Sequence, residues 1–266
     1  MARSALLNVM VQSALKAGRS LARDFGEVQN LQVSLKGPGD YVSQADRKAE
    51  NIIKTELMRA RPTYGFMGEE SVEEKGTDGA HRWIVDPLDG TTNFLHGMPH
   101  FAVSIALERN GEIVAGVVYN PSTDELYTAE RGGGAFLNDR RLRVAGRKAM
   151  SDAVIGTGVP HLGRGHHGKF LVELRHVMGE CAGIRRMGAA ALDLAYVAAG
   201  RLDGFWESPL EPWDMAAGII LIREAGGFVA DTAGGTDMFG SRSVAAGNEY
   251  ILKGVLDLVQ RPVPKA

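Results

Sequence analysis

The sequence predicts an α/β protein, α+β in some classifications, built from two halves that share an interface. Stretches with apolar residues at helical spacing, as at residues 5–23 and 47–59, alternate with apolar runs typical of buried strands, as at 83–85. The chain has 266 residues, which is long enough for one large core or two tightly joined halves. No internal repeat, low-complexity tract or linker divides it.

Composition and charge exclude several classes of protein. A net charge of −2 creates no field that would by itself recruit nucleic acid or an anionic membrane. Cys181 is the only cysteine, so no intrachain disulfide can form and a reducing compartment is expected. No stretch approaches the roughly 18 uninterrupted apolar residues of a membrane helix. We therefore expect a cytoplasmic protein without direct membrane binding.

The first half is predicted to begin with a helix and to end in an antiparallel meander. Residues 1–23 are basic and acid-free, as in a transit peptide, but their periodicity favours the inner face of a helix. That face consists of Leu6, Val9, Met10, Ser13, Ala17 and Leu21. Residues 28–36 alternate weakly like a hairpin strand, and 37–40 form a Gly-Pro-Gly-Asp loop. Period-two alternation over 101–129, with turns at Asn110-Gly111 and Asn120-Pro121, predicts the meander.

The second half is predicted to alternate strands and helices. The strands are expected at 154–158, 183–187, 201–206, 228–230 and 244–246. The helices are expected at 169–178, 188–200, 211–225 and 250–258. The helix over 188–200 is rich in alanine, which suits close packing, and the end of the chain at 261–266 is expected to fray.

The strongest functional signal is the stretch 83–94, Trp-Ile-Val-Asp-Pro-Leu-Asp-Gly-Thr-Thr-Asn-Phe. Its apolar run predicts a strand that ends at Asp86, because Pro87 has no N–H to donate. Asp89 follows three residues later, and two carboxylates this close repel unless a cation lies between them. Carboxylate oxygens suit Mg²⁺, and the helix start at Gly90-Thr91 would offer N–H groups to a phosphate. Turn chemistry alone favours the same residues, with Thr91 as an ordinary helix N-cap.

The longer string separates these alternatives. Residues 86–94, Asp-Pro-Leu-Asp-Gly-Thr-Thr-Asn-Phe, resemble the signature of the inositol monophosphatase family of Mg²⁺-dependent phosphatases. Gly68-Glu69-Glu70 and Trp213-Asp214 stand in the family's order and approximate spacing, and the resemblance spans roughly residues 5–260. It implies a five-layer α-β-α-β-α sandwich of the sugar-phosphatase type. The site would lie between an N-terminal half, 1–145, and a C-terminal half, 146–266, of one compact catalytic unit.

The resemblance also implies which residues bind metal. One Mg²⁺ would be held by Glu69, Asp86 and the Leu88 carbonyl. A second would be held by Asp86, Asp89 and Asp214, and a weaker third near Glu69 follows by analogy. Without the resemblance, Asp214 would be a helix-start acid that complements the helix dipole, and adjacent glutamates would be a solvated turn.

Catalytic roles are implied for three side chains. Glu69 would hold the attacking water, while Thr91 and Asp46 would orient it and take its proton. Asp46 belongs to a Val-Thr-x-x-Asp element of the family, in which this chain has Ser43 in place of the threonine. Taken alone, Asp46 would be a carboxylate favoured by the helix dipole. Two further residues, Glu70 and Lys36, are expected to lie just outside the ligands.

Substrate contacts are implied in the same way. The phosphate would be bound at Gly90, Thr91 and Thr92, and the sugar hydroxyls by Asp89, the Ala190 amide and Glu207. Ala189 stands where some members carry a hydroxyl. Inositol 1-phosphate is the expected substrate, because an acid at position 207 favours a polyol. Fructose 1,6-bisphosphate and histidinol phosphate remain alternatives.

A second hypothesis concerns protein partners. The run from Arg186 to Phe205, with His100 to Ala106, is most similar to the bacterial SuhB branch of the family. That branch is also known as a partner of the transcription machinery in ribosomal RNA antitermination. The resemblance thus implies contact with RNA polymerase or Nus factors through an outer surface, with phosphatase activity secondary. Family members are commonly homodimers, and a homodimer is expected here by analogy.

Overall fold

The computed structural model describes residues 3–27, 33–37, 40–161, 163 and 165–262, with only the backbone considered in 33–37 and 40–43. The predicted strand at 28–36, the predicted loop at 37–40 and the predicted fraying end at 261–266 therefore lie partly outside the described residues.

The first layer is a pair of helices, α1 (Ala5–Phe25) and α2 (Gln44–Ala60). Helix α1 begins at Ser4, whose hydroxyl accepts the N–H of Leu7 and so satisfies a donor of the first turn. Of its predicted inner face, Leu6 and Val9 are only half-buried, and Leu7, Val11 and Ala14 are buried in addition. The other predicted residues are buried as expected: Met10, Ser13, Ala17 and Leu21. Strands β1 (Val33–Gly37) and β2 (Asp40–Ser43) form the predicted hairpin ahead of α2.

The second layer is a seven-stranded sheet whose strands lie in chain order. They are β3 (Gly65–Gly68), β4 (His81–Asp89), β5 (Ala102–Arg109), β6 (Glu112–Asn120), β7 (Glu125–Glu130), β8 (Gly134–Leu137) and β9 (Arg140–Arg141). Strand β3 is parallel to β4, and every later pair is antiparallel. Asn110 and Gly111 both have positive φ, 53° and 80°, as the tight hairpin turn between β5 and β6 requires. The predicted meander is confirmed.

Strand β4 does not end at Asp86, so that prediction is wrong. Asp86 pairs with Ser104 and Asp89 with Ala102, so that Pro87 and Leu88 together face a single residue of β5. This is a β-bulge, a position where the missing N–H of a proline costs no ladder hydrogen bond. The strand therefore continues to Asp89 and carries both acids into the site.

The fourth layer is a five-stranded sheet made from the second half of the chain. Its strands are β10 (Val154–Thr157), β11 (Gly183–Arg185), β12 (Gly204–Glu207), β13 (Phe228–Ala230) and β14 (Val244–Gly247), in the order β11-β10-β12-β14-β13. Strand β10 is parallel to β11 and β12, whereas β14 is antiparallel to β12 and β13. The outer face of this sheet is covered by α4 (His167–Met178) and α8 (Glu249–Val259), which form the fifth layer.

The third layer, between the sheets, consists of α5 (Ala190–Ala198) and α6 (Pro212–Glu224). Small residues let them approach closely, since a Cβ at Gly218 of α6 would lie 2.5 Å from the Cβ of Leu194 in α5. Helix α5 starts two residues later than predicted because Gly188 is left-handed and Ala189 is extended. Two short helices, α3 (Thr91–Leu95) and α7 (Met238–Ser241), complete the described helices of four or more residues.

The five-layer α-β-α-β-α architecture is thus confirmed. The division of the chain at residue 145 stays a prediction, since α5 and α6 pack against both sheets. Within the described residues, no helix combines the length and the apolar character needed to cross a membrane.

Candidate active site

A cleft that is open to solvent lies where the two sheets and the middle helices meet. It brings together most of the predicted site residues: Glu69, Asp86, Leu88, Asp89, Gly90, Thr91, Thr92, Ala190, Glu207 and Asp214. Asp46 and Glu70 stand behind its wall. Lys36 lies in β1, but its side chain is outside the described residues.

Three of the predicted ligands are held by backbone donors. An Asp86 oxygen accepts the N–H of Leu88 at 2.9 Å, and an Asp89 oxygen accepts the N–H of Ala191 at 2.7 Å. Asp214 sits in the first turn of α6, where an oxygen accepts the N–H of Glu211 at 2.7 Å as half of a capping box. Asp214 is therefore a helix-start acid as well as a cleft residue. These bonds fix each carboxylate before any ligand arrives.

The electrostatics of these acids are unfavourable without a cation. Burial raises the pKa of Asp86 well above its usual range, and the nearby Glu69, Asp89 and Asp214 carboxylates raise it further. Burial likewise raises the pKa of Asp89 to about 7, against the opposing effect of the hydrogen bond from Ala191. The pKa of Asp214 is raised by burial and by Asp89. An all-oxygen, acid-rich site of this kind fits a hard divalent cation.

A second group of acids adjoins the first. Single carboxylate oxygens of Asp46, Glu69 and Glu70 lie within 4.8 Å of one another, a spacing that could hold a metal ion. The Thr91 hydroxyl donates to the Leu88 carbonyl at 2.9 Å and lies 3.4 Å from an Asp46 oxygen. The predicted neighbours Thr91 and Asp46 are thus brought together.

Glu50 is a buried acid that sequence reasoning missed. It lies on the inner face of α2 one turn after Asp46, and its carboxylate accepts the N–H of Glu70 at 2.8 Å. A Cβ at Gly68 would lie 2.3 Å from a Glu50 oxygen, so Gly68 makes room for it. The available signal was its place on the apolar face of a predicted helix. Glu50 therefore orients the Gly68-Glu69-Glu70 segment from behind.

The predicted phosphate contacts lie at the start of α3. Gly90 is the N-cap residue, with φ of 86°, so Thr91 is not the cap and the simple turn interpretation is wrong at that position. A Cβ at Gly90 would lie 2.9 Å from the His100 carbonyl, which restricts the position to glycine. The left-handed turn leaves Gly90, Thr91 and Thr92 on the wall of the cleft beside the acids.

The cleft is also lined by Ala190 and Glu207, together with residues that sequence reasoning did not single out as site residues. These are Gly158, Val159, His161, Arg186, Gly188 and Leu210. The pKa of Glu207 is raised well above its usual range by burial and by Asp193, Asp214 and Asp89. Gly158 touches Glu207 so closely that a Cβ there would lie 1.8 Å from a carboxylate oxygen. No local pattern reveals this contact, because it depends on the pairing of β10 with β12.

Asn93 is a further residue whose role sequence reasoning missed. It is 3% exposed, and its amide nitrogen donates to the carbonyls of His100 at 2.8 Å and Met187 at 2.9 Å. The side chain thereby ties α3 to the loop before α5. Its place inside the Asp-Gly-Thr-Thr-Asn string was the only available signal.

Comparisons with known proteins agree with this geometry. The model of the inositol monophosphatase family matches residues 2–262. A Rhizobium meliloti (strain 1021) protein named inositol-1-monophosphatase is 77% identical over 264 residues, covering 99% of each chain. A Pseudomonas aeruginosa protein named Nus factor SuhB is 45% identical, covering 97% of each chain. The crystal structure of extragenic suppressor protein suhB from Bartonella henselae superimposes with a TM-score of 0.95 at 66% identity, covering 98% of this chain and all of that one.

Proposed function

The chain belongs to the inositol monophosphatase family, and from this premise we propose that it hydrolyses inositol 1-phosphate to inositol and phosphate in a Mg²⁺-dependent reaction. The observation that carries the proposal is the convergence of buried acids beside the left-handed Gly90 turn. An acid cluster adjoining backbone N–H groups matches the charge of a metal ion and a phosphate ester together.

The residues that would hold Mg²⁺ form two sets. Glu69, Asp86 and the Leu88 carbonyl would hold one ion, and Asp86, Asp89 and Asp214 a second. When bound, the metal supplies Lewis-acid chemistry that activates water and neutralises charge at the phosphate and the leaving oxygen. A weaker third position is proposed near Glu69, where the Asp46 and Glu70 carboxylates also converge.

The chain's own side chains place the water and move its proton. Thr91, whose hydroxyl spans the Leu88 carbonyl and Asp46, orients the attacking water. Asp46 is fully buried and accepts the proton that the water loses. The water oxygen bonds to phosphorus as the bond to the inositol oxygen breaks, and that oxygen takes up a proton from solvent. Backbone N–H groups at Gly90, Thr91 and Thr92 stabilise the phosphate oxygens.

The leaving group is proposed to lie in the part of the cleft nearest Glu207. There Asp89, the Ala190 amide and Glu207 meet the inositol hydroxyls. This arrangement favours a polyol monophosphate over the alternatives, fructose 1,6-bisphosphate and histidinol phosphate.

The test is phosphate release from those three substrates with Mg²⁺, using wild type, Asp86→Asn and a matched control. Asp257→Asn is the control, because Asp257 is exposed on the outer face of α8. We expect inositol 1-phosphate to be the best substrate, Asp86→Asn to be inactive and Asp257→Asn to match wild type. Metal-independent turnover, or an active Asp86→Asn, would contradict the proposal.

A second candidate function is favoured by the relative named Nus factor SuhB. We propose that an outer surface of this chain contacts Nus factors or RNA polymerase. Co-purification with these proteins should survive Asp86→Asn, since the acid cluster lies inside the cleft. A homodimer is proposed by family analogy, and sedimentation equilibrium tests it.

A further inference from the structure

Among the described residues that line the active-site cleft, Arg186 carries the one guanidinium. It lies in the loop between β11 and α5 and is exposed. Within the described part of the chain, it makes neither a hydrogen bond nor an ion pair shorter than 4.0 Å. The guanidinium, which has five N–H donors, therefore lines the cleft without a protein acceptor among the described residues.

Gly188 is what allows this placement. It has φ of 87°, and a Cβ there would lie 2.6 Å from Nη1 of Arg186. The guanidinium thus rests against the backbone that leads into α5, in the space that a larger residue would fill. The glycine at position 188 therefore leaves room for the Arg186 guanidinium.

Glu207 supplies the complementary group. Its carboxyl lines the same cleft, and the positive charge of Arg186 partly offsets the effect of burial on the Glu207 pKa. The two side chains are therefore within electrostatic reach, yet they form no ion pair with each other. A donor fork and a carboxyl therefore line one cleft, where both can engage one ligand.

A hydroxyl group fits this pair because it can accept from a guanidinium and donate to a carboxylate at once. A second phosphate would be attracted by Arg186 but repelled by Glu207, and an apolar group would leave both unsatisfied. We propose that Arg186 is a specificity-determining residue that, with Glu207, binds neighbouring hydroxyls of a polyol leaving group. This inference rests on the proposed phosphatase function.

The neighbouring Arg185 provides a matched control. It is also exposed, but its guanidinium donates to the Ile184 carbonyl at 2.9 Å, and it does not line the cleft. Arg185→Met and Arg186→Met therefore remove the same charge from adjacent positions. Arg186→Lys retains the charge without the planar fork.

The experiment compares KM for inositol 1-phosphate with KM for phenyl phosphate, whose leaving group carries no further hydroxyl. We expect Arg186→Met to raise KM for inositol 1-phosphate about 10- to 100-fold, the range for a lost charged hydrogen bond. Its KM for phenyl phosphate should stay within about twofold, as should both values for Arg185→Met. The KM of Arg186→Lys for inositol 1-phosphate should lie between the values of Arg186→Met and wild type.

Equal effects on both substrates, or none on either, would overturn the inference. If wild type releases phosphate from neither substrate, the proposed function fails instead. Calorimetric titration of inositol 1-phosphate then decides the Arg186 inference separately. Binding to wild type that is lost in Arg186→Met supports it, and equal or absent binding overturns it.

Discussion

The carboxylate of Asp89 accepts a 2.7 Å hydrogen bond from the backbone N–H of Ala191, 102 residues further along the chain. The bond joins the end of β4 to the first turn of α5. The N-cap residue of α5 is Ala189, which has no side-chain acceptor for the free N–H groups of that turn. Asp89 supplies the missing cap from a distant strand, so a predicted metal ligand also fixes the helix that presents Ala190 to the cleft.

We predict that the metal-free protein loses stability as pH rises. The Asp89 pKa is about 7 in the folded protein against an ordinary 3.8, so between these values the folded state holds a proton that the unfolded chain has released. The free energy of unfolding therefore falls with rising pH, by up to about 4 kcal/mol for this group alone. Urea unfolding in the presence of a chelator should show about 2.5 kcal/mol of this change between pH 5 and pH 7.5, because the rest of it occurs below pH 5.

Asp89→Asn should reduce this slope, because the amide does not titrate but still accepts from Ala191. Part of the pH dependence should remain, because Asp86 and Asp214 keep raised pKa values. Mg²⁺ binds preferentially to the folded state, so at pH 7.5 it should raise the free energy of unfolding more in wild type than in the variant. Asp257→Asn should show the wild-type slope. Identical slopes in Asp89→Asn and wild type would refute the explanation.

Thr91→Val is predicted to lower kcat about 10²- to 10⁴-fold, the usual contribution of a positioned proton-transfer group. Valine matches the shape of threonine but removes the hydroxyl that lies between the Leu88 carbonyl and Asp46. Thr91→Ser restores the hydroxyl and should stay within about tenfold of wild type. Steady-state kinetics at saturating Mg²⁺ distinguish the two variants, and a Thr91→Val enzyme with normal kcat would exclude Thr91 from positioning the water.

Asn93→Ala is predicted to destabilise the protein by about 1–3 kcal/mol, the cost of leaving buried carbonyls unsatisfied. The carbonyls affected belong to His100 and Met187, on two different segments. Urea unfolding should show this loss, and KM for inositol 1-phosphate should rise because the loop before α5 is released. Asn8→Ala on the exposed side of α1 is the control and should change neither quantity. An unchanged free energy of unfolding in Asn93→Ala would mean that the tie is not stabilising.

The sequence predicts the acids of this site better than their surroundings. Asp86 and Asp89 stand at the end of an apolar run beside a proline and a glycine, which is a local pattern. The bulge between them was not predictable, because the register of β5 decides whether the strand can continue past Pro87. The start of α5 was predicted two residues early for the same kind of reason. Gly188 is left-handed, its carbonyl accepts from the distant Asn93 side chain at 3.4 Å, and a Cβ there would meet Arg186.

The cleft residues near Glu207 could not be predicted from sequence patterns, for a different reason. Gly158 and Arg186 matter through close approaches to Glu207 and Gly188, and those approaches exist only once β10, β12 and α5 are packed. Glycine and arginine are also common on surface loops, where they carry no such meaning. Geometry, and not residue type, marks them as part of the site.

Gly158→Ala provides a final prediction, aimed at Glu207 without changing any acid. Gly158 does not have positive φ, so alanine introduces no backbone strain, but its Cβ would lie 1.8 Å from one Glu207 oxygen and 2.4 Å from the other. Glu207 must therefore move away from its present position. We expect KM for inositol 1-phosphate to rise about tenfold or more, because a displaced hydrogen-bonding group costs roughly 1.5 kcal/mol or more.

Gly146→Ala is the matched control, because a Cβ at Gly146 meets no atom within 4 Å. It should leave the KM for inositol 1-phosphate unchanged. Phenyl phosphate, which has no hydroxyl for Glu207 to bind, should be hydrolysed by Gly158→Ala with a KM near that of wild type. If KM rises equally for both substrates, alanine at position 158 disturbs the acid cluster itself. Glu207 then has no separate part in recognising the leaving group.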